Sequence, residues 1–504
     1  MTKKEVTRKR SAGRKSEKSS PAGAIVAAQR QAVTGYLLCG KEHTTGKPVP
    51  VLSPWDQSVV GAVPRATRAQ ALIAVAAAQK SFSATRVLPA HERQRILALV
   101  SAGIAAKRSE FAATIVAEAG KPLKAALAEV DRAVFTFKVA SEEAGREGGE
   151  VLPLDLLPGT EGRFGLMRRF PVGPVLAITP FNFPLNLVAH KLAPAIAAGC
   201  PVLLKPAPQT PLSALALGRL ILDAGWPVEA LSVLPMANED AEWLIEHEER
   251  LKMLSFTGSA RVGWQLKAKA GKKKVMLELG GNAAMIVHGD CGVLAAVVAR
   301  AIAGAFSYSG QSCISVQRIL IERPIFQTFT WKMVESAARL VSGDPADERT
   351  DIGPVIRESE ASRIVEWADE ALAQGARIVA GGVREGSMVE PTILSGTRSP
   401  MKVVDEEVFG PVVSIDAYDD FDSALERANQ SRFGLQTGLF TRDMGRILRA
   451  YEKLDVGALI VGDSPSWRLD SMPYGGVKDS GEGREGVRWA IGEMTQSKLL
   501  VLAR

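Results

Sequence analysis

Apolar positions along this chain change their spacing from one stretch to the next. Up to about residue 145 they recur at three- and four-residue intervals. Ile96, Leu97, Val100 and Ile104 fall on one face and predict an amphipathic helix. A further helix is predicted with Pro122 in its first turn and Gly145 just past its end, the usual start and stop asymmetry. From 148 to 170 two extended runs, Glu150 to Leu154 and Arg163 to Phe170, flank the turn signal Pro158-Gly159. Such a hairpin leaves strand edges open unless something pairs with them. Ser497 to Leu502 is another isolated strand candidate.

Between 171 and 285 short apolar runs alternate with helical segments. Strand candidates begin at Val175, Val202, Leu231, Met253 and Val275, with successive starts 27, 29, 22 and 22 residues apart. Short buried strands joined by crossover helices indicate a parallel, doubly wound sheet. Ligands of such sheets sit beyond the carboxyl ends of the strands. Asn182 follows the first strand, Lys205 ends the second, Gly258 follows the fourth and Glu278 lies on the fifth. Residues 286–480 repeat the alternation less regularly, with strands expected near Ile319, Pro411 and Leu459, as a second α/β domain carrying Cys313.

Composition narrows the class. A chain of 504 residues has room for roughly three domains. Its 46% hydrophobic and 23% charged residues suit large cores and a soluble surface. The best apolar stretch, Val293 to Phe306, is interrupted by Arg300 and too short to span a membrane. The formal charge of +7 is concentrated in residues 1–20, which hold eight bases and two acids. That Ser-rich segment reads as a solvated, disordered tail, and neither a nucleic-acid partner nor a secretory signal is expected from it. Four cysteines without Cys-x-x-Cys pairing point to a reducing, cytoplasmic compartment, and five scattered histidines show no metal-ligand spacing.

The chemistry concentrates in two places. Cys313 ends the run Phe306-Ser307-Tyr308-Ser309-Gly310-Gln311-Ser312-Cys313, where a loop is expected to enter a helix. Glu278 lies 35 residues earlier, in Leu277-Glu278-Leu279-Gly280-Gly281. A thiol can attack an electrophilic carbon, and a carboxylate can ready a water. Glu278 has an ordinary pKa of roughly 4.3, so apolar surroundings are expected to raise it. Phe256-Thr257-Gly258-Ser259-Ala260-Arg261-Val262-Gly263 follows a strand and opens a helix, a setting apt for a pyrophosphate. Gly481-Glu482-Gly483-Arg484-Glu485-Gly486 spells GxGxxG, but no apolar strand leads into it, and it is discounted as a dinucleotide motif.

Together with Asn182 in Pro180-Phe181-Asn182-Phe183-Pro184, these motifs resemble the aldehyde dehydrogenase superfamily from about residue 35 to the end. The resemblance implies two Rossmann-like doubly wound domains, cofactor-binding and catalytic, plus a small β oligomerisation element. The expected division is a basic tail at 1–22, a NAD(P)-binding domain from 23–147 and 171–285, a catalytic domain at 286–484, and oligomerisation segments at 148–170 and 485–504. It implies oxidation of an aldehyde to a carboxylic acid with NAD(P)+, through a thiohemiacetal and a thioester on Cys313. Glu278 would be the deacylating base, Asn182 with the Cys313 N–H the oxyanion donors, and Lys191 an orienting or proton-relaying group. Ile178, Thr179, Pro180, Phe181, Lys205, Gly258, Ser259, Gly263, Leu279, Gly280, Glu407 and Phe409 match the cofactor cradle, although Ala260 stands where the family motif has threonine.

NAD-preferring relatives carry a glutamate three residues beyond Lys205, where this chain has Pro208. NAD is slightly favoured over NADP. Phe183, His190, Ser312 and Arg468 are the expected substrate contacts, with Asn186 and His190 sharing a helix face along the aldehyde channel. Arg468 could hold an acid group bidentately, which favours a small polar or acidic aldehyde such as lactaldehyde, succinate semialdehyde or phosphonoacetaldehyde. The alternatives are a coenzyme-A-acylating dehydrogenase, against which Glu278 argues, and a catalytically silent binding protein on the same fold. A homodimer or homotetramer without a metal is expected.

Overall fold

The computed structural model describes residues 33–146 and 148–503. The basic tail at 1–22 lies outside them. Three sheets organise the described chain.

In the first sheet, Leu231–Val233, Val202–Lys205, Val175–Ile178, Met253–Thr257 and Lys274–Glu278 lie side by side in that order, all parallel. The five expected strands are all present, the last beginning one residue early. Every residue of Val175–Ile178 and Val202–Lys205 is buried, because helices cover both faces of the sheet. The strand order reverses between Val175–Ile178 and Met253–Thr257. Crossover helices leave this point in opposite directions, so a crevice opens beyond Ile178 and Thr257.

The helix Ala90–Ala106 buries Ile96, Leu97, Val100 and Ile104, the face that their spacing predicts, and Leu123–Glu143 starts behind Pro122.

The second sheet runs Thr392–Ser395, Val412–Tyr418, Val316–Glu322, Ala283–Val287, Gln436–Phe440 and Ala458–Val461, again parallel. Only Leu279, Gly280, Gly281 and Asn282 separate the last strand residue of the first sheet's Lys274–Glu278 from Ala283 of the second. One segment returns: Gly481–Glu482 adds antiparallel to Lys274–Glu278 at the edge of the first sheet.

The third sheet closes one edge of the hairpin within the chain and leaves its outer strands open. Arg163–Pro171 is its central strand, with Gly149–Pro153 on one side and Thr495–Ala503 on the other, both antiparallel. The outer strand still exposes Leu499, Leu500, Val501 and Leu502. Among the described residues no helix is long and apolar enough to cross a membrane.

Candidate active site

Beyond the crevice of the first sheet lies a cavity of about 340 Å³ lined by Cys313, Glu278 and Asn182 together. Cys313 does not open a helix as expected. It sits in a turn that leads directly into the strand Val316–Glu322. The turn is set by backbone conformation: Tyr308, Ser309 and Gly310 hold φ of 49°, 54° and 69° in succession. A left-handed residue with a side chain costs about 1–2 kcal/mol. Tertiary bonds hold this one in place, from Tyr308 Oη to Ala119 O at 3.1 Å and from Ser309 Oγ to Gly353 O at 2.6 Å. A Cβ on Gly281 would run into the Cys313 carbonyl, so the glycine is what lets the two segments touch.

Burial pushes the Cys313 thiol up to about 12, and Tyr474, whose Oη lies 3.0 Å from Sγ, pulls it only part of the way back. At rest the thiol therefore carries its proton. Asn182 Nδ2 donates to the Gln311 carbonyl at 3.0 Å, which fixes the amide orientation and leaves a second N–H on the same nitrogen. The Cys313 N–H is not spent on any carbonyl among the described residues. Asn182 itself is held by its flanks. Lys121 Nζ lies 3.7 Å from the Phe183 ring centre and 4.3 Å from that of Tyr308. Glu129, paired with Lys121, accepts the N–H groups of Leu185 and Asn186 where the next helix begins.

Glu278 is 3% exposed, and its Oε2 has no hydrogen-bond partner among the described residues. Burial first, and the Glu485 carboxylate second, hold it well above the ordinary carboxylate range. Burial also opposes charge on Glu485, but Lys191 and its other neighbours, among them the hydrogen-bonded Arg468, together outweigh it and lower the carboxyl to about 2. Lys191, fully buried and outside the cavity lining, gives one bond to Ser255 at 3.2 Å and one to Glu485 at 3.3 Å. Glu485 in turn donates its backbone N–H to Glu278 at 3.4 Å.

A dinucleotide fits the other end of the cavity. Ser259 precedes the helix Ala260–Lys269 without capping it by its side chain, so the first N–H groups remain available to a pyrophosphate. Any side chain on Gly280 would strike the Glu407 carboxylate, which accepts the Gly281 N–H at 3.0 Å. Burial raises Glu407 to about 7. Phe409 packs edge-on against Phe181 at 5.9 Å. Pro180, Gly258 and Leu279 join this lining, while Ile178 and Thr179 lie behind it. Gly263 instead packs its helix on Leu279, where a Cβ would collide. Lys205 is 4% exposed, and its ammonium group has no hydrogen-bond partner among the described residues, while its carbonyl accepts the Thr179 N–H. Burial, then Arg65, lower it to about 8.

At the aldehyde end, Phe183, Ser312, Asn186 and Arg468 line the cavity as expected, but His190 does not. It is 1% exposed and turned toward Asp470, whose carboxylate draws the imidazole away from the channel. Arg132, Tyr474 and Glu485 line the cavity without having been singled out from the sequence. Glu485 lies inside the glycine run discounted above, and Asp470 only two residues beyond Arg468. Arg132, on the helix Leu123–Glu143, has no local signal at all. Among the described residues no cluster of His, Cys, Asp and Glu is placed to hold a metal ion.

Residues 41–500 match the aldehyde dehydrogenase family. The chain is 43% identical over 471 residues to a 3-sulfolactaldehyde dehydrogenase of Priestia aryabhattai, covering 93% of this chain and 98% of that protein. The crystal structure of aldehyde dehydrogenase 21 from Physcomitrella patens, in complex with the reaction product succinate, superposes with a TM-score of 0.92 at 42% identity, covering 94% and 98% of the two chains. A glyceraldehyde-3-phosphate dehydrogenase of Methanocaldococcus jannaschii complexed with NADP gives 0.88 at 36% identity, covering 91% and 100%.

Proposed function

Because the chain belongs to the aldehyde dehydrogenase family and oxidises an aldehyde to a carboxylic acid with NAD or NADP, we propose that its substrate is a short aldehyde bearing a carboxylate or sulfonate. The observation that carries this reading is the pair of guanidiniums, Arg132 and Arg468, in the same cavity wall as Cys313. Arg is suited to planar acid groups because its fork of N–H donors matches two oxygens at once. The relative named for 3-sulfolactaldehyde and the neighbour holding succinate both handle such groups.

Cys313 attacks the aldehyde carbon, forming the S–C bond as the carbonyl pair moves to oxygen. The thiol proton passes to Glu278, whose Oε2 has no competing partner among the described residues, and from there to solvent, which returns the group to a carboxylate. The second Asn182 N–H and the Cys313 N–H receive the oxyanion; one such donor contributes roughly 2.7–4 kcal/mol to the transition state. The cofactor, cradled by Gly258, Ser259, Gly280 and Glu407, supplies the hydride acceptor. Glu278, again a carboxylate, then takes a proton from the water that attacks the thioester and passes it to the departing sulfur, releasing the acid and restoring the thiol. This favours hydrolysis over transfer to coenzyme A. Pro208 brings no carboxylate to the ribose side of Lys205, whose nearest charges are Arg65 and Glu239, so both cofactors are accommodated.

The proposed division keeps the boundaries given above: a cofactor-binding part up to 285 with 148–170 set apart, a catalytic part to 484, and the third sheet as oligomerisation element. The exposed strand Thr495–Ala503 suits pairing between copies in a dimer or tetramer. Four free thiols suit a reducing cytoplasm.

Steady-state kinetics with succinate semialdehyde, sulfolactaldehyde and butanal test the substrate class. The acidic aldehydes are expected to show at least a tenfold higher kcat/KM, roughly the effect of one charge-assisted hydrogen bond. A preference for butanal would overturn it.

A further inference from the structure

One carboxylate reaches both guanidiniums at the aldehyde end, hydrogen-bonding Arg132 and forming a looser ion pair with Arg468. Asp470 takes Arg132 Nε on Oδ2 at 2.9 Å and Nη2 on Oδ1 at 2.6 Å. Its Oδ1 also lies 3.6 Å from Arg468 Nε. Arg468 completes its setting with Glu485 at 3.1 Å and the Tyr474 ring, 3.6 Å below the guanidinium carbon. The aim of two arginines thus depends on the orientation of one aspartate in a loop.

That orientation is fixed from a different element. The helix Asn186–Ala198 presents Asn186 Nδ2 and His190 Nε2 to Asp470 Oδ1, at 3.3 and 2.8 Å. The four-residue spacing puts both on one face. The tautomer follows from the contacts. A lone pair on Nε2 would face the carboxylate oxygen, so Nε2 carries the proton and donates it. Arg468 Nη2, 3.2 Å from the same nitrogen, then meets a donor and is a neighbour, not a partner. Nδ1 is buried without any partner among the described residues, so a second proton there would be an orphan donor beside a cation. Burial, then Arg468, correspondingly lower the His190 pKa.

With His190 neutral and Glu278 protonated, Arg132, Arg468 and Lys191 outnumber Asp470 and Glu485 by one positive charge. That surplus matches a monoanion. Resting on the acidic-aldehyde reading above, we propose that His190 and Asp470 form a positioning pair that aims Arg132 and Arg468 at the acid group, so that a side chain outside the cavity sets selectivity for a monoanionic substrate.

The test compares succinate semialdehyde with butanal in the full-length enzyme. His190→Leu is expected to raise KM for succinate semialdehyde about tenfold or more, the loss of one hydrogen bond to a charged group. The change in kcat, and in KM for butanal, should stay below about threefold, a split that general loss of structure does not produce. His190→Gln, which can still donate toward Asp470, should recover most of the loss. Should His190→Leu not fold, His190→Phe keeps the ring volume and carries the same expectation.

Equal losses on both aldehydes, or an unchanged KM for the acidic one, would overturn the pair. If Arg132→Met removes the acidic preference while His190→Leu keeps it, only the positioning role fails. If wild type shows no such preference and Arg132→Met changes nothing, the acidic-aldehyde reading fails as well.

Discussion

The two ends of the cavity are built from different materials. The cofactor end is mostly backbone: the free N–H groups before Ala260–Lys269, and the close approaches that Gly280 and Gly281 permit. The aldehyde end is side-chain charge drawn from distant segments, with Arg132, His190, Arg468, Asp470 and Glu485 in mutual contact. Backbone sites demand particular residues at fixed local spacing. Charge networks demand only that oppositely charged atoms meet in space. The first kind tolerates little variation and suits a shared cofactor; the second can be re-lettered for a new substrate.

The largest expected effect removes the point where the ends meet. Cys313→Ala should lower turnover by roughly 10⁴-fold or more on every aldehyde, with cofactor affinity preserved in fluorescence titration. Retained turnover would remove the nucleophile from the account. Next, Glu278→Gln should lower kcat about 10²–10⁴-fold. Rapid mixing separates its two proposed tasks: a surviving NAD(P)H burst confines it to deacylation, whereas loss of the burst shows that it also takes the thiol proton.

Because the base must be deprotonated and burial raises its pKa, wild-type kcat should decline on acidification well before an ordinary glutamate would lose its charge. The limb should vanish in Glu278→Gln; a wild-type decline delayed to the ordinary carboxylate range, about pH 4–5, would contradict the elevated pKa.

Two smaller perturbations separate the ends. Gly280→Ala, pressing on Glu407, should weaken cofactor binding by roughly ten- to a hundredfold, given about 1–3 kcal/mol for overpacking. Isothermal titration should show this without a matching change in the affinity for succinate. Arg132→Met should do the reverse, raising the succinate inhibition constant about tenfold while the cofactor constant holds. Changes in both constants for either variant would mean that the ends are not separable.

The same contrast explains what the sequence discloses. The five strands of the first sheet are legible because each is a short, fully buried run, and Cys313, Glu278, Asn182 and Gly258 are legible because their neighbours are constrained. Arg132 and Asp470 are not, since an arginine on an amphipathic helix looks the same whether it meets water or a buried aspartate 338 residues away. His190 was placed on the correct helix face, yet that face meets Asp470 before it reaches the channel. The turn at Cys313 escapes prediction for a related reason: three successive left-handed residues are stabilised by Ala119 and Gly353, both remote in sequence.

The four-residue span from Leu279 to Asn282 carries a mechanical consequence. The carboxylate ends one sheet, the next sheet starts five positions later, and the sulfur's own carbonyl presses against the ribbon between them. Swinging the halves apart about this tether would drag the base off station and unseat the nucleophile together, so the two reacting groups share one mechanical anchor.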